Sequence, residues 1–456
     1  MSNTDKIVVG LDIGTTKICA LVGVKNQFGK LEILGMGKSV SEGVSRGMVV
    51  NIDKTVDAIK KAIKEAEESA GIDIGVVNVG IAGQHIRSFK AHNGFTRSNT
   101  EDEISVADVS YLTQEMYKYV VPAGTQIIAV MPQEYMVDYQ LKTDDPVGMP
   151  GTRLEGDFHI ITAEANAVNY IDKSVKRSNL LTDELILEPI ASSLAVLSED
   201  EKQAGVVLVD IGGGTTDVAI FHDGIIRHTA VIPFGGNIIT QDIKEGLQLL
   251  NQQAEALKVK FGSALSSETK SNEIVSIPGL RNREPKEISI KNLASIVECR
   301  MEEIIHLVNA EIHSSGYEKK LSAGIVITGG GSQLKHLKQL FEYKTGKNTR
   351  IGYPNEHLGK SKVEVVKSPM YATAVGLVLA GFYGIDEREN KYKEKSQSHG
   401  STAGTAKSQD PIILKNSEEH GGAKKETNLG FGLFKNMKEK ISGMLIDDFD
   451  DKSNYE

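Results

Sequence analysis

Residues 206–221 read VVLVDIGGGTTDVAIF, and residues 7–24 read IVVGLDIGTTKICALVGV. Each is an apolar run, a short Gly/Thr turn and a second apolar run, the pattern of a β-hairpin. The two share Asp-Ile-Gly and a Thr-Thr pair, with two further glycines in the later copy. A hairpin plan repeated about 200 residues apart implies a chain built of two related halves. Strand-like sequence follows each copy (LEILGMGKSV and IIRHTAVIPF), and helices come next. The clearest helix is DKTVDAIKKAIKEAEESA, 53–70, with Val56, Ile59, Ile63 and Ala66 on one face and Gly71 as its stop.

The chemistry of such a pair follows from its residue types. Glycine lets backbone approach a ligand closely and turn sharply. Backbone N–H groups of Gly14, Thr15 and Thr16, and of Gly213, Gly214 and Thr215, can converge on phosphate oxygens as an anion nest, with threonine hydroxyls as added donors. Asp12 and Asp210 stand at strand ends, where they meet the metal that accompanies a polyphosphate. Mg²⁺ prefers one or two carboxylates plus retained waters. One hairpin alone reads equally well as an ordinary turn; two in matching context do not. A third element, ITGGGSQL at 327–334, places Gly329, Gly330 and Gly331 between an apolar run and a helical stretch, suited to close approach to a base or ribose. No Walker A loop is present: the nearest match, Gly359-Lys360-Ser361, has Pro354 where the first glycine belongs.

Composition narrows the class. The 456 residues carry 52 Lys plus Arg against 61 Asp plus Glu, a net charge of −9. That balance disfavours a general nucleic-acid binder, which needs a basic face for phosphates. With 40% apolar and 25% charged residues, a sizeable core is expected. No stretch reaches the roughly 18 apolar residues of a spanning helix. MSNTDKIVVG enters a strand pattern directly and reads as lacking a secretory leader. Cys19 and Cys299 cannot make a disulfide framework and fit a reducing compartment. The eleven histidines show no zinc-ligand spacing.

Two segments interrupt the duplication. Residues 84–163, from QHIRSFKAHNGF to EGDFHIITA, mix short strands with a helix near 105–119 and read as an inserted subdomain; 236–310 reads as a mostly helical insertion in the second half. Residues 386–428 are polar and rich in Gly, Ser and Lys, and read as a disordered linker spanning on the order of 35–40 Å. Residues 430–446, GFGLFKNMKEKISGMLI, form an amphipathic pattern. On a helical wheel Phe431, Leu433, Phe434, Met437, Ile441, Met444 and Leu445 share an arc of roughly 160°, with lysines at its edges. Such a stripe enters an acyl boundary while lysines snorkel to phosphates, or it docks on protein. The acidic DDFDD that follows would be repelled by anionic lipid.

DIGTTK, DIGGGTTD (which adds Gly212) and ITGGGSQL resemble the two phosphate motifs and the adenosine motif of the actin-like ATPase superfamily, and LEPIASSLAVL, 187–197, resembles its connecting helix. The runs SEGVSRGMVVNID, VGIAGQHIRS, VMPQEYMVDYQ, DDPVGMPGTRLEG and RHTAVIPFGGNIITQDI are similar to the FtsA family of bacterial cell-division proteins. The resemblance implies an α/β, actin-like (ribonuclease H-like) duplicated core. Its parts would be subdomain 1A over 1–83 and 164–187, an inserted subdomain 1C over 84–163, 2A over 188–235 and 311–385, and 2B over 236–310. The linker 386–428, a membrane-targeting helix at 429–446 and an acidic tail at 447–456 would follow. It implies ATP and Mg as cofactors, with Glu255 and Lys258 as a Glu-x-x-Lys contact to ribose and adenine; by residue type alone they are an i,i+3 ion pair. Lys17 reads either as a phosphate contact or as a solvated strand residue. Glu188 resembles the water-orienting acid of some bacterial actin homologues, and otherwise reads as a helix-N-terminal Glu; with Asp210 it makes the catalytic pair. Turnover is expected to be slow, ATP acting mainly as a clamp between the halves. The implied partners are the FtsZ C-terminal peptide on 2B, near Arg281 and Arg300, a polymer of the chain itself, membrane lipid and later division proteins. The implied location is the cytoplasmic face of the inner membrane at the division site. A sugar or carboxylate kinase on the same core is the alternative; it gives no reason for a lipid-binding helix.

Overall fold

The two Gly/Thr bends each close an antiparallel hairpin. Ile7–Ile13 pairs with Lys17–Lys25, with Ile13 opposite Ile18. Val206–Ile211 pairs with Thr216–His222, with Ile211 opposite Thr216, so Gly212–Thr215 form the bend. These strands are buried along nearly their whole length, which is why they read as continuous apolar runs and not as alternating ones. The computed structural model describes residues 6–99, 101–270, 272–278, 284–355 and 357–400. Everything that follows lies within the unit Met1–Gly381 unless stated.

Each hairpin seeds a five-stranded sheet of the same topology. In the first, the order is Leu181–Leu187, Val76–Ile81, Ile7–Ile13, Lys17–Lys25, Leu31–Val40. In the second it is Thr349–Ile351, Gly324–Thr328, Val206–Ile211, Thr216–His222, Ile225–Ile232. Both are a three-strand antiparallel meander extended by two parallel strands from its first member. The duplicated core expected from the repeated motif is therefore present at the level of topology. Both Gly/Thr bends sit at the carboxyl end of a central strand, where open α/β sheets place their ligands.

Helices fit the sheets through small residues. Ile52–Ala70 starts at Asn51, whose side chain accepts from the Lys54 N–H, and stops at Gly71 in the left-handed conformation. It buries Val56, Ile59, Ile63 and Ala66 as its periodicity predicts. Its seat on strand Leu31–Val40 is made by Gly35 and Gly37: a Cβ at Gly37 would collide with the Ala62 carbonyl. Helix Glu188–Val196 is buried on every side except at Glu188, and Gly376, in the first turns of Ala372–Gly400, meets it at the Ala191 carbonyl with no room for a side chain. That last helix runs on through 386–400, residues the sequence assigned to the linker.

Residues 84–163 hold a separate four-stranded sheet, ordered Ile86–Thr96, Arg153–Glu164, Thr125–Val137, Leu141–Thr143. Helix Val106–Met116 packs beside it and begins with a Ser105/Asp108 capping box. Residues 236–310 contain helices Gly236–Gly246 and Asn251–Phe261 and most of Ile290–Ser315. They also hold a two-stranded ribbon, Ile274–Ile277 with Lys286–Ser289, that helical periodicity did not reveal. Residues 429–446 and Arg281 lie outside the described residues.

Replacing Gly37 by Val forces the helix off its sheet. Overpacking of this kind costs about 1–3 kcal/mol or more, so the thermal midpoint should fall by several degrees; an unchanged melting curve would contradict the close seat.

Candidate functional site

The two bends face each other across one cavity of about 430 Å³. A Cβ on Gly213 would strike the Thr16 hydroxyl, and one on Gly214 would lie 2.6 Å from Thr15 Oγ1. Glycine is therefore required where the bends meet. Parallel pairing of Gly324–Thr328 with Val206–Ile211 sets Thr328 opposite Asp210, so Gly329–Gly331 emerge beside that carboxylate. Gly329 has φ 81°, and a side chain there would run into Asp210 Oδ1. A short 3-10 turn, Gly330–Gln333, follows the strand, and helix Leu337–Thr345 begins within the stretch read as helical from the sequence.

All the candidate residues line this cavity: Asp12, Gly14, Thr15, Thr16 and Lys17 from the first half; Glu188 at the start of its helix; Asp210, Gly212, Gly213, Gly214 and Thr215 from the second bend; Glu255 and Lys258; and Gly329, Gly330 and Gly331. Lys17 is not simply solvated: its Nζ donates to the Met370 carbonyl at 2.8 Å, stands 4.0 Å from Asp12 Oδ2 and lies over the Tyr371 ring. Lys258 pairs with Glu255 at 2.7 Å and also donates to the Gly236 carbonyl and Thr240 Oγ1. The pair is thus an ion pair and a strut holding helix Asn251–Phe261 against the residues behind the second bend. Arg300 is engaged within the chain, its guanidinium forked onto Asp242 at 2.5 and 2.9 Å and paired with Glu303.

Sequence reasoning missed three contributors. Asp210 accepts from Ser192 Oγ at 2.5 Å and from Thr373 Oγ1 at 3.1 Å, hydroxyls supplied by two remote helices. Asp217 closes DIGGGTTD and lines the cavity from the second position of its strand. The signal for Asp217 was available: a lone carboxylate inside an otherwise apolar strand. Nothing local marks Ser192 or Thr373.

The electrostatics of these groups share one cause. Burial raises the Asp12 pKa, opposed by Lys17 and reinforced by Asp210. Burial likewise raises Asp210 against its two hydroxyl donors. Glu188 is pushed well above the carboxylate range by burial and then by Asp12, Asp217 and Asp210. Asp217 is pushed up to about 8 by burial and Asp210; Thr215 Oγ1 donates to one of its oxygens at 3.1 Å and the other has no partner. The cavity is therefore short of positive charge. Among the described residues no three side chains of His, Cys, Asp or Glu are grouped tightly enough to hold a metal. Asp12 and Asp210 offer the one or two carboxylates that Mg²⁺ takes when it is bound with a polyphosphate.

Several known proteins are similar to this chain. A family model described as "Cell division protein FtsA" matches residues 207–376, and one described as "SHS2 domain inserted in FTSA" matches residues 83–162. The cell division protein FtsA of Pseudomonas aeruginosa is 43% identical over 376 residues, covering 82% of this chain and 89% of that protein. FtsA of Escherichia coli strain K12 is 37% identical over 383 residues, covering 82% and 90%. Among solved structures, a PilM-PilN type IV pilus biogenesis complex matches with a TM-score of 0.60 at 16% identity, covering 82% of this chain and 98% of that one, a likeness of fold.

A raised carboxyl pKa makes the folded state hold a proton that the unfolded chain has released. Stability from Asp217 is thus fully present below about pH 4 and is lost as pH rises through about 8. The ligand-free Asp217→Asn variant should melt higher than the parent at pH 8, with the gap narrowing as pH falls and closing by about pH 4. At about 2–4 °C per kcal/mol the difference is readable by calorimetry; a gap independent of pH would contradict the assignment.

Proposed function

The chain belongs to the FtsA family of cell-division proteins, and from that premise we propose that it is an ATP-dependent adaptor that ties the FtsZ ring to the inner face of the membrane. One observation carries the nucleotide part of the reading. Two glycine-threonine bends from duplicated halves meet over a cavity that gathers the buried carboxylates Asp12, Glu188, Asp210 and Asp217, with Lys17 4.0 Å from Asp12. Asp12 and Asp210 would hold Mg²⁺, with Gly14, Thr15, Thr16 and Lys17 on one side of the phosphates and Gly212, Gly213, Gly214 and Thr215 on the other. Gly329–Gly331 would approach the adenosine, and Glu255 and Lys258 the ribose. Bound magnesium supplies the positive charge that these carboxylates lack and screens the phosphates.

The residues favour holding over hydrolysis. A base must accept a proton from the attacking water or orient it. In the ligand-free chain burial and three neighbouring carboxylates raise the Glu188 pKa, which weakens it as a base. Slow turnover, with ATP acting mainly as a clamp between the halves, is therefore the reading we propose.

The remaining parts rest on family membership and sequence. The FtsZ C-terminal peptide is assigned to residues 236–310. Arg300, already forked onto Asp242, offers less to it than an unpaired arginine would. Residues 429–446 supply lipid attachment by one amphipathic helix, weak alone and strengthened when a polymer of the chain presents many at once. Later division proteins would assemble on the same polymer.

The paired change Asp12→Ala with Asp210→Ala tests the nucleotide site. Two lost charge-assisted contacts of about 1.5–3 kcal/mol each predict roughly 100- to 10,000-fold weaker MgATP binding by titration calorimetry; unchanged affinity would overturn the reading. Deleting 429–446 should abolish sedimentation with liposomes of anionic phospholipid while leaving MgATP affinity as it was. Undiminished sedimentation would refute the anchor.

A further inference from the structure

The inserted sheet is fixed to both halves. At its root, Ala82–Ile86 passes beside the turn Ser45–Met48, where Arg46 and Gly47 have φ 49° and 74°. The Gly47 N–H donates to Thr15 Oγ1 at 3.0 Å. A Cβ on Gly47 would lie 2.6 Å from the Gly83 Cα, and one on Gly214 would lie 3.0 Å from the Arg46 Cα. This turn therefore touches the first bend, the second bend and the root of the insert.

The body of the insert lies against the other half. Each of its three long strands sends one side chain to edge strand Ile225–Ile232 of the second sheet. Ser88 Oγ donates to the Thr229 carbonyl at 2.9 Å. Gln133 Nε2 donates to the Ile226 carbonyl at 2.8 Å, and Arg227 Nη1 donates back to the Gln133 carbonyl at 3.1 Å. His159 Nε2 and Thr229 Oγ1 are 3.0 Å apart. Gln133, His159 and Thr229 are buried. Strand Ile225–Ile232 is paired along its length with Thr216–His222, which carries Asp217 into the cavity. Moving the halves apart would draw the second sheet from the insert and expose these polar groups.

We propose that the insert is a brace that sets the separation of the two halves, and that its undocking from strand Ile225–Ile232 gates the release of bound nucleotide. The proposal rests on the reading of the cavity as a nucleotide site. The seam also contains an opposing element. Lys90 of the insert and Lys320 and Arg227 of the second half all crowd the Tyr317 ring, at 5.7, 5.4 and 6.0 Å from its centroid. The ring face attracts each cation, while like charges across the seam repel. Asp223, 3.2 Å from Arg227, offsets one of them. The brace is thus held by hydrogen bonds and loosened by charge, so substitutions can move it either way.

The test uses the full chain with magnesium and a fluorescent ADP, chased with excess ATP in a stopped-flow instrument. The combined Gln133→Ala and Thr229→Val variant should release ADP about 5-fold faster or more, the scale of one or two lost hydrogen bonds. Exposed Lys90→Glu converts repulsion across the seam into attraction and should slow release about 2- to 5-fold. General loosening of the fold cannot produce a slower rate, so the pair separates a brace from lost stability; Lys90→Glu also keeps the test decisive if the double variant fails to fold. Rates within twofold of the parent, or both variants shifting in one direction, overturn the brace alone. A parent chain that binds no ADP overturns the nucleotide reading and the brace with it.

Discussion

The structure is organised around a deficit of positive charge. Asp12, Glu188, Asp210 and Asp217 project into one cavity, and burial raises every one of their pKa values. Lys17, 4.0 Å from Asp12, offsets part of this. Burying carboxylates is costly, and here four are gathered where two sheets present their glycine bends to each other. On the proposed reading, a cation arriving with its own anion offsets that cost. The close approach of Gly213 and Gly214 to Thr16 and Thr15 adds the geometric half of the constraint. Neither bend can move far alone without opening the contact.

Much of this was legible in the chain because the decisive contacts are made by local motifs. A hairpin bent at DIGTT or DIGGGTTD places its own aspartate and its own N–H groups, so residue type and spacing were enough to find Asp12, Asp210 and the bends. Helix Ile52–Ala70 was readable from its period and its Gly71 stop for the same reason. That the chain has two related halves followed from the duplication; the order of strands in the two sheets did not.

What escaped the sequence is what distant segments contribute to one another. Ser192 and Thr373 reach Asp210 across 18 and 163 positions, and a serine or threonine in a buried helix looks like any other small residue. The contact of the insert with strand Ile225–Ile232 is likewise a matter of long-range packing; Gln133 and Thr229 carry no mark of it. The ribbon Ile274–Ile277 with Lys286–Ser289 was hidden because its strands are short and follow helical sequence. Helix Ala372–Gly400 outruns its apolar stretch: polar residues after Asp386 are tolerated in a helix even where composition reads as linker.

The central claim is that both bends hold one magnesium–nucleotide together. Hydrogen exchange followed by mass spectrometry during a titration of the full chain with MgATP tests it most directly. The account predicts that peptides covering 12–17, 212–217 and 329–333 gain protection in concert, along one binding curve. Protection confined to a single bend, or half-saturation at different ATP concentrations for the two, would contradict it.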